Sequence, residues 1–187
     1  MANAVNYLSL AAVQAEINRI PRERYECVLY GVWNTILTWQ FRVENGYVTR
    51  PQDRHSRQRG RAGYSDLHTY QYPAVGRRAS KFLIVQCKKH GHEGEASTWT
   101  QGRNQLRQYL SNTHGRRRWG TRTPVYGILS VGHLVRFYKY VDVGEDIRDL
   151  NIQSILRSTR IRNGDSLHIQ TDCRQIQRIL NHIRSHH

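Results

Sequence analysis

The segment from Tyr25 to Leu37 carries the clearest helical pattern in the sequence. Its apolar residues recur at the spacing of one helix face, and they are Tyr25, Val28, Leu29, Val32, Trp33, Ile36 and Leu37. A stripe this regular is stable only when other elements cover it, because exposing it to water is costly. The segment therefore predicts a central helix of the core.

Four other segments have helical spacing. They are Leu10 to Arg19, Thr98 to about Leu110, Ile147 to Ser158, and a segment that begins after Asp172. Polar residues suited to capping stand at three of their starts, namely Ser9, Thr98 with Gln101, and Asp172 with Gln175.

Strand-like patterns mark five more segments. They are Tyr47 to Arg50 after an Asn45-Gly46 turn, Tyr64 to Tyr72, Lys81 to Lys89, Val125 to Val131, and Leu134 to Tyr140. Alternation in the third strand places Phe82, Ile84, Gln86 and Lys88 on one face and Leu83, Val85 and Cys87 on the other. The last two strands read as a hairpin through Gly132 and His133. The order α-α-β-β-β-α-β-β-α-α predicts one α/β domain, with a mixed sheet flanked by helices.

The chain is strongly basic, and this predicts a polyanionic partner. It has 29 Lys and Arg residues against 14 Asp and Glu, a net charge of +15, and arginine far outnumbers lysine. Arginine binds phosphate through a planar, two-pronged donor, so nucleic acid is the expected partner. The alternatives are a basic face kept for solubility and one that sits on an anionic membrane.

Most of the basic side chains expected to contact nucleic acid fall in loops. We expect a mobile loop from Pro51 to Gly63 and a second basic loop from His114 to Arg122. The predicted contacts are Arg54, Arg57, Arg59, Arg61, Arg77, Arg78, Lys89, Arg103, Arg116, Arg117 and Arg118. Such contacts read charge and shape and carry no base specificity.

The cysteines and the apolar segments indicate where in the cell the protein is expected. Three widely spaced cysteines without a CxxC pair favour a reducing, intracellular setting over a secreted disulfide scaffold. The start of the sequence lacks the pattern of a secretory signal, and no apolar run approaches the roughly 20 residues that span a bilayer. We expect no membrane partner, and the basic runs are compatible with a nuclear location.

Asp66 and the Gln86-Cys87-Lys88 segment form the arrangement that best fits a chemical function. Cutting a phosphodiester requires a divalent cation, an activated water and relief of negative charge. Mg²⁺ prefers oxygen ligands, usually one or two carboxylates with waters and substrate oxygens. Alternation places Gln86 and Lys88 on one face of their strand, and Asp66 lies on the neighbouring strand. Lys88 would then orient the attacking water or neutralise the phosphate.

These segments resemble a known nuclease superfamily. GYSD, then FLIVQCKK, then a helix carrying Gln105-x-x-x-Tyr109 are similar to the PD-(D/E)XK (restriction-endonuclease-like) proteins, in particular the RecB-like and λ-exonuclease-like branches. The resemblance implies an αβββαβ core over about residues 22–140. Helix 9–20 and the C-terminal helices in 145–187 would then be additions to that core, all within a single domain 1–187.

The resemblance also implies roles for individual residues and a cofactor. Asp66 and Gln86 would hold Mg²⁺ or Mn²⁺, Lys88 would be catalytic, and Gln105 and Tyr109 would contact the substrate strand or brace the site. Glu26 on the first core helix would complete the metal shell, with Glu23 as second choice. The implied activity is hydrolysis of DNA rather than RNA. The oligomeric state stays open, a homodimer being one arrangement.

Gln86 departs from the family pattern, which has Asp or Glu at that position. A glutamine carbonyl can bind a metal but brings no negative charge, so metal affinity should fall. Three interpretations stay open: an active variant that relies on Glu26, a nuclease-fold module that binds without cutting, or a glutamate deliberately replaced to trap a complex. A structural protein whose basic surface meets an acidic protein is a further alternative.

Other interpretations of single residues also stay open. Asp66 could pair with an arginine, Lys88 and Lys89 could end a strand, Gln105 could be a surface residue, and Tyr109 could be a core ring. Glu26 could pair with Arg22. A rival zinc site would use Cys87, His90 and His92 with Cys27 or Cys173, although their spacing is not that of common zinc motifs.

Overall fold

A computed structural model describes residues 6–21, 25–54, 64–73, 79–115 and 123–187. The helices are α1 (Ala11–Arg19), α2 (Glu26–Gln40), α3 (Ala96–His114), α4 (Ile152–Leu156) and α5 (Cys173–Ser185). The strands are β1 (Tyr47–Arg54), β2 (Tyr64–Gln71), β3 (Ser80–Lys88), β4 (Tyr126–Val131), β5 (Leu134–Val141), β6 (Asp146–Asp149) and β7 (Leu167–His168). Short 3-10 helices occupy Tyr7–Ser9 and Val43–Asn45.

The strands form one mixed sheet in the order β1-β2-β3-β4-β5-β6. Neighbours are antiparallel except β3 and β4, which run parallel and are connected by the segment that contains α3. The short strand β7 pairs with the start of β5. The predicted α/β class, with helices around a mixed sheet, is therefore confirmed.

Helices cover both faces of this sheet, and each face has its own apolar cluster. On one face, α2 contributes Trp33 and its neighbours to a cluster that includes Leu83, Val85 and Cys87 of β3. On the other face, α3 packs against Ile84 of the same strand. The predicted core helix is confirmed, because six of its seven apolar positions are buried in the first cluster. Tyr25 is the exception, since it precedes the helix and 72% of it is exposed.

A β-bulge changes the face of Phe82. Thr69 of β2 pairs with Leu83, but the next residue, Tyr70, pairs with Lys81, so Phe82 is the extra residue. Its ring packs in the α2 cluster with Phe41 and Tyr47, at centroid distances of 5.3 and 5.7 Å. The predicted alternation therefore holds from Leu83 onward but is wrong for Phe82.

The predicted helix from Ile147 to Ser158 is wrong. Gly144 and Glu145 adopt positive φ angles of 81° and 49°, and the turn returns the chain alongside β5 as strand β6. A helix forms only afterwards, as α4, where the side chain of Asn151 accepts a hydrogen bond from Ser154 N at 3.1 Å. The short polar residue at the start of α4 therefore acts as its N-cap.

Other predicted boundaries also change. β1 continues to Arg54, so residues 51–54 of the predicted loop are strand, and the rest of that prediction, 55–63, lies outside the described residues. None of the three predicted capping arrangements forms a side-chain cap: Leu10 precedes α1, Glu95 precedes α3, and Asp172 accepts from His168 N instead. None of the helices in the described parts of the chain has both the length and the apolar content needed to cross a bilayer.

Candidate metal centre at the ends of two neighbouring strands

Asp66 and Gln86 are in direct contact. The pairing of β2 with β3 runs from Leu67–Val85 to Gln71–Ser80, and Asp66 and Gln86 lie next to the first of these pairs. Gln86 Nε2 donates to Asp66 Oδ2 at 2.7 Å, and the backbone nitrogen of Cys87 donates to the same oxygen at 2.6 Å. Only 8% of Asp66 and 4% of Gln86 is exposed. The predicted proximity of these two side chains is therefore present.

The first turn of α2 brings a second carboxylate to the same place. Tyr30 donates its hydroxyl to Glu26 Oε2 at 3.0 Å, and it also lies in hydrogen-bonding contact with the carboxylate of Asp66. Glu26 and Tyr30 are four residues apart and so share one helix face. Of the two glutamates considered, Glu26 is half-buried beside the site, and Glu23 lies outside the described residues.

The environment of Asp66 favours its neutral form. Burial raises the pKa of Asp66 to about 6, and the negative charge of Glu26 acts in the same direction. Hydrogen bonds from Cys87 N–H and from Tyr30 lower this pKa, as does the positive charge of Lys88, but they do not offset burial. Asp66 therefore carries a negative charge that its surroundings only partly stabilise.

Lys88 lies near enough to Asp66 for its charge to act on that carboxyl group. Cys87 is completely buried on the opposite face, toward α2, and burial raises the pKa of its thiol well above the ordinary value. Lys89 is exposed just after β3. The acid of β2 and the amine of β3 are thus close enough to interact, as the predicted site requires.

Helix α3 brings two further predicted residues toward the strands. Burial raises the pKa of Tyr109, and the negative charge of Asp66 raises it further, so the Tyr109 hydroxyl lies within reach of the field of that carboxylate. Gln105 lies one helical turn earlier on the same face, with its Oε1 buried. Both side chains are half-buried rather than projecting into solvent.

Gln86 keeps a buried oxygen with no hydrogen-bond partner among the described residues, its side-chain Oε1. The amide nitrogen of the same side chain is already bonded to Asp66. An unsatisfied buried carbonyl oxygen is costly, and a metal ion is one partner that would satisfy it. If this oxygen and the carboxylates of Asp66 and Glu26 faced one ion, they would make a hard, all-oxygen donor set of the kind that suits Mg²⁺ or Mn²⁺.

Most of the residues predicted to contact nucleic acid lie outside the part of the chain that the structure describes. Arg57, Arg59, Arg61, Arg77, Arg78, Arg116, Arg117 and Arg118 lie outside the described residues, and of Arg54 only the backbone, at the end of β1, is described. Arg103 is half-buried and donates Nη2 to the carbonyl of Ile147 at 2.7 Å, on β6, three strands away from β3. Its guanidinium braces the sheet there.

Sequence reasoning missed a second polar cluster beyond the end of β3. One ligand atom each from His90, Glu93 and His133 lies within 4.8 Å of the others, and in the described parts of the chain this is the one set of at least three such residues that could hold a metal ion. The zinc set predicted around Cys87 and His92 is therefore not brought together. The sequence signal was partial, since His90-x-x-Glu93 is local but His133 comes from a distant hairpin.

The chain was compared with protein families, with characterised proteins and with solved structures. It matches no protein family, no characterised protein and no solved structure.

Proposed function

We propose that the chain is a metal-dependent nuclease that hydrolyses phosphodiester bonds of DNA. One observation carries the proposal: the buried contact between Asp66 and Gln86, beside the charges of Glu26 and Lys88. Two acidic groups, an unsatisfied amide oxygen and an amine at one point are hard to explain as packing alone. Buried acids are rare in proteins, and acids with perturbed pKa values cluster at functional sites.

The proposed roles follow from the chemistry of each side chain. Asp66, Glu26 and the Oε1 of Gln86 would hold Mg²⁺ or Mn²⁺, which when bound supplies Lewis-acid activation of a phosphate oxygen and a more acidic water. Cys87 N–H fixes one oxygen of Asp66, so the carboxylate has little rotational freedom. Lys88 offers a positive charge toward the scissile phosphate, and Tyr30 holds Glu26 in place.

The order of elements supports the finer assignment to the restriction-endonuclease-like fold. From α2 to β4 the chain runs α-β-β-β-α-β, with three antiparallel strands and then a parallel strand reached through α3. The candidate site lies on the second and third of these strands, with Gln105 and Tyr109 on the following helix. This is the arrangement that the resemblance implies.

DNA is the proposed substrate because of charge and because of the sequence resemblance. A net charge of +15 on 187 residues favours a polyphosphate, and releasing condensed counterions from it makes binding strong at low salt. Arginine-rich segments precede β2, precede β3 and follow α3, the three elements that carry the site. Backbone contacts of this kind would hold either a duplex or a single strand.

A cleavage assay tests the proposal directly. The full chain is incubated with plasmid and with single-stranded DNA in Mg²⁺, Mn²⁺ or EDTA, and product is quantified on gels. We expect metal-dependent cutting that falls at least about 100-fold in Lys88→Ala. Lys139→Ala is the matched control, because Lys139 is an exposed lysine of β5, two strands away, and its loss should leave cutting unchanged. Absence of cutting in every metal, or cutting unaffected by Lys88→Ala, contradicts the proposal.

A second candidate is a module on the same scaffold that binds DNA or RNA without cutting it. The observation that favours it is the neutral amide of Gln86, which satisfies Asp66 by hydrogen bonding where a second acid would strengthen metal binding. Salt-sensitive binding to DNA, equal in wild type and Lys88→Ala and without products, would support this candidate. Absence of binding to DNA and RNA at low salt would instead favour an acidic protein partner.

A further inference from the structure

His90, Glu93 and His133 converge from two different turns. His90 and Glu93 belong to the connection between β3 and α3, and His133 belongs to the turn between β4 and β5. Their ligand atoms all lie within 4.8 Å of one another, and all three side chains are half-buried. His90 Nδ1 and Glu93 Oε1 already share a short hydrogen bond. Two imidazole nitrogens and one carboxylate oxygen thus face a common point.

Local hydrogen bonds fix the orientation of Glu93. The backbone nitrogen of Gly91 donates to Glu93 Oε2 at 2.7 Å, which directs the other oxygen, Oε1, toward His90. The indole nitrogen of Trp99 donates to the carbonyl of Glu93 at 2.8 Å, which anchors its backbone to the first turn of α3. The carboxylate is therefore held in place before any ligand binds.

His133 is held by contacts that a ligand histidine commonly has. Its ring hydrogen-bonds to the backbone of Ile17. The ring also stacks on that of His168, with the two ring centroids 5.1 Å apart and an interplanar angle of 4°. Metal-bound histidines generally use their second ring nitrogen in such a bond to a backbone carbonyl or carboxylate, which fixes the tautomer. The backbone of His133 is held as well, because its carbonyl accepts from Ile169 N at 2.9 Å.

Gly132 allows the two turns to approach closely. Its φ is +50°, a conformation that side chains with a Cβ rarely adopt. A Cβ at this position would lie 1.8 Å from Glu93 Oε1 and 2.9 Å from His90 Nδ1. The backbone nitrogen of Gly132 donates to the carbonyl of Lys88 at 3.1 Å, which joins the turn to the end of β3. The glycine therefore sets the distance between His133 and the other two side chains.

We propose that His90, Glu93 and His133 bind one Zn²⁺ ion, with a fourth position left for water. This donor set of two nitrogens and one carboxylate oxygen suits borderline transition ions better than Mg²⁺. In a tetrahedral zinc site the donor atoms are roughly 3.3 Å apart, given metal–ligand distances near 2.0 Å. The observed separations of up to 4.8 Å therefore need only a small closing movement.

The proposed ion would tie the end of β3 to the β4–β5 turn, immediately after the strand that carries Gln86 and Lys88. It does not depend on the proposed nuclease function. The two sites use different residues and different donor chemistry, and the Asp66 site favours hard cations. Variants of one site can therefore be tested without altering the other.

Zinc binding by the full chain tests the proposal. The EDTA-stripped, dialysed protein is titrated with Zn²⁺ by calorimetry in excess Mg²⁺, and Co²⁺ is used as a spectroscopic probe of tetrahedral coordination. We expect one Zn²⁺ per chain, displacement of bound Co²⁺ by Zn²⁺, and affinity at least about tenfold weaker in His133→Ala and in Glu93→Gln. Zinc affinity should be unchanged in Asp66→Asn, which separates this test from that of the nuclease.

Two control variants exclude other histidines. His92→Ala removes a neighbouring imidazole that pairs with Glu95 at 2.7 Å and lies outside the cluster. His182→Ala removes one member of the stacked His182–His186 pair at the end of α5, whose ring centroids are 4.0 Å apart and whose imidazoles could chelate zinc by themselves. Both controls should keep full affinity. Because Glu93→Gln preserves side-chain size, it gives a result even if His133→Ala fails to fold.

Three outcomes would overturn the proposal. These are absence of stoichiometric Zn²⁺ binding, binding that survives both Glu93→Gln and His133→Ala, and binding that is lost in His182→Ala. In the first case the cluster would be only a hydrogen-bonded turn in which His90 and Glu93 pair. In the last, the ion would belong to the C-terminal helix.

Discussion

Two polar clusters lie at the same end of β3, and they stabilise their carboxylates differently. Asp66 is buried beside Gln86, and its pKa is raised to about 6 because hydrogen bonds do not offset burial. At Glu93, burial alone would raise the pKa, but hydrogen bonds from its own backbone, from His90 and from Gly91 outweigh burial and lower it. The partners of the Asp66 carboxylate therefore stabilise its charge only in part, whereas the partners of Glu93 outweigh its burial.

The two clusters therefore differ in how much their carboxylates would gain from a bound metal ion. Among the described residues, Lys88 is the cation whose charge acts on Asp66, and it does not offset burial, so the Asp66 cluster gains most from a hard cation. The His90, Glu93 and His133 cluster (the histidine cluster) is already satisfied internally, so a metal there must replace a hydrogen bond with coordination. The two clusters should accordingly differ in how pH, backbone changes and added charge affect them.

Asp66→Asn should give the largest effect on stability. Below the ordinary pKa of 3.8 the carboxyl group is neutral in both folded and unfolded chains. As pH rises to about 6 only the unfolded chain ionises, so the wild type loses stability. An increase in the pKa of Asp66 from 3.8 to about 6 corresponds to a loss of about 3 kcal/mol in the free energy of unfolding. In EDTA, we expect the variant to be more stable by up to this amount at pH 7.5, with little difference at pH 3.5.

Urea unfolding at several pH values measures the difference in stability between the wild type and Asp66→Asn. Asp146→Asn is the control, because the side chain of Asp146 is 51% exposed beside Arg107 and its replacement should leave stability nearly unchanged. A variant less stable than wild type at pH 7.5 would show that the hydrogen bonds to Asp66 outweigh its burial.

Gly132→Ala should destabilise the histidine cluster by about 2 kcal/mol. About 1 kcal/mol comes from forcing alanine into the left-handed region, and the rest from displacing Glu93 from His90. Gly144→Ala is the matched control, since its φ is +81° and a Cβ there would meet nothing within 4 Å. Gly144→Ala should lose only the stability that is due to the left-handed backbone conformation, about 1 kcal/mol. Equal losses for both variants, measured by chemical unfolding, would mean that Glu93 moves aside at no cost.

Gln86→Glu should strengthen Mn²⁺ binding at the Asp66 cluster about tenfold, or about 1.4 kcal/mol. The substitution exchanges a neutral amide for a carboxylate at the position that contacts Asp66. Electron paramagnetic resonance of free Mn²⁺ during a titration measures the change. Gln108→Glu adds the same charge at an exposed position of α3 and should leave Mn²⁺ affinity unchanged. An equal increase in Mn²⁺ affinity in both variants would mean that the affinity depends on the overall charge of the protein and not on this site.

Local patterns predicted the centre of the fold well. The stripe of α2 and the alternation of β3 from Leu83 onward reflect burial against opposite helices, which the sequence records residue by residue. Asp66 and Gln86 could be paired for the same reason, because alternation fixes which side chains share a sheet face. The metal, the activity and the nucleic-acid contacts remain predictions.

Features that depend on pairing between distant segments could not be predicted. The bulge at Phe82 exists only because β2 and β3 pair in a shifted register, and β6 forms because the edge of β5 is available to Ile147 and its neighbours. Tyr30 stands four residues after Glu26 and could have been noticed from that spacing. His133 could not, because only the folded sheet brings the β4–β5 turn beside Glu93.

The parallel pairing of β3 with β4 has a consequence for how the chain assembles. β1 to β3 and β4 to β6 are each meanders of strands adjacent in sequence, whereas Lys88 and Tyr126 are separated by the whole of α3. Closing that long loop costs more entropy than forming either meander. We infer that the two meanders form first and that their joining limits the folding rate. Asp66 and Gln86 would then meet early, within the first meander, whereas His133 would reach His90 and Glu93 only in the last step.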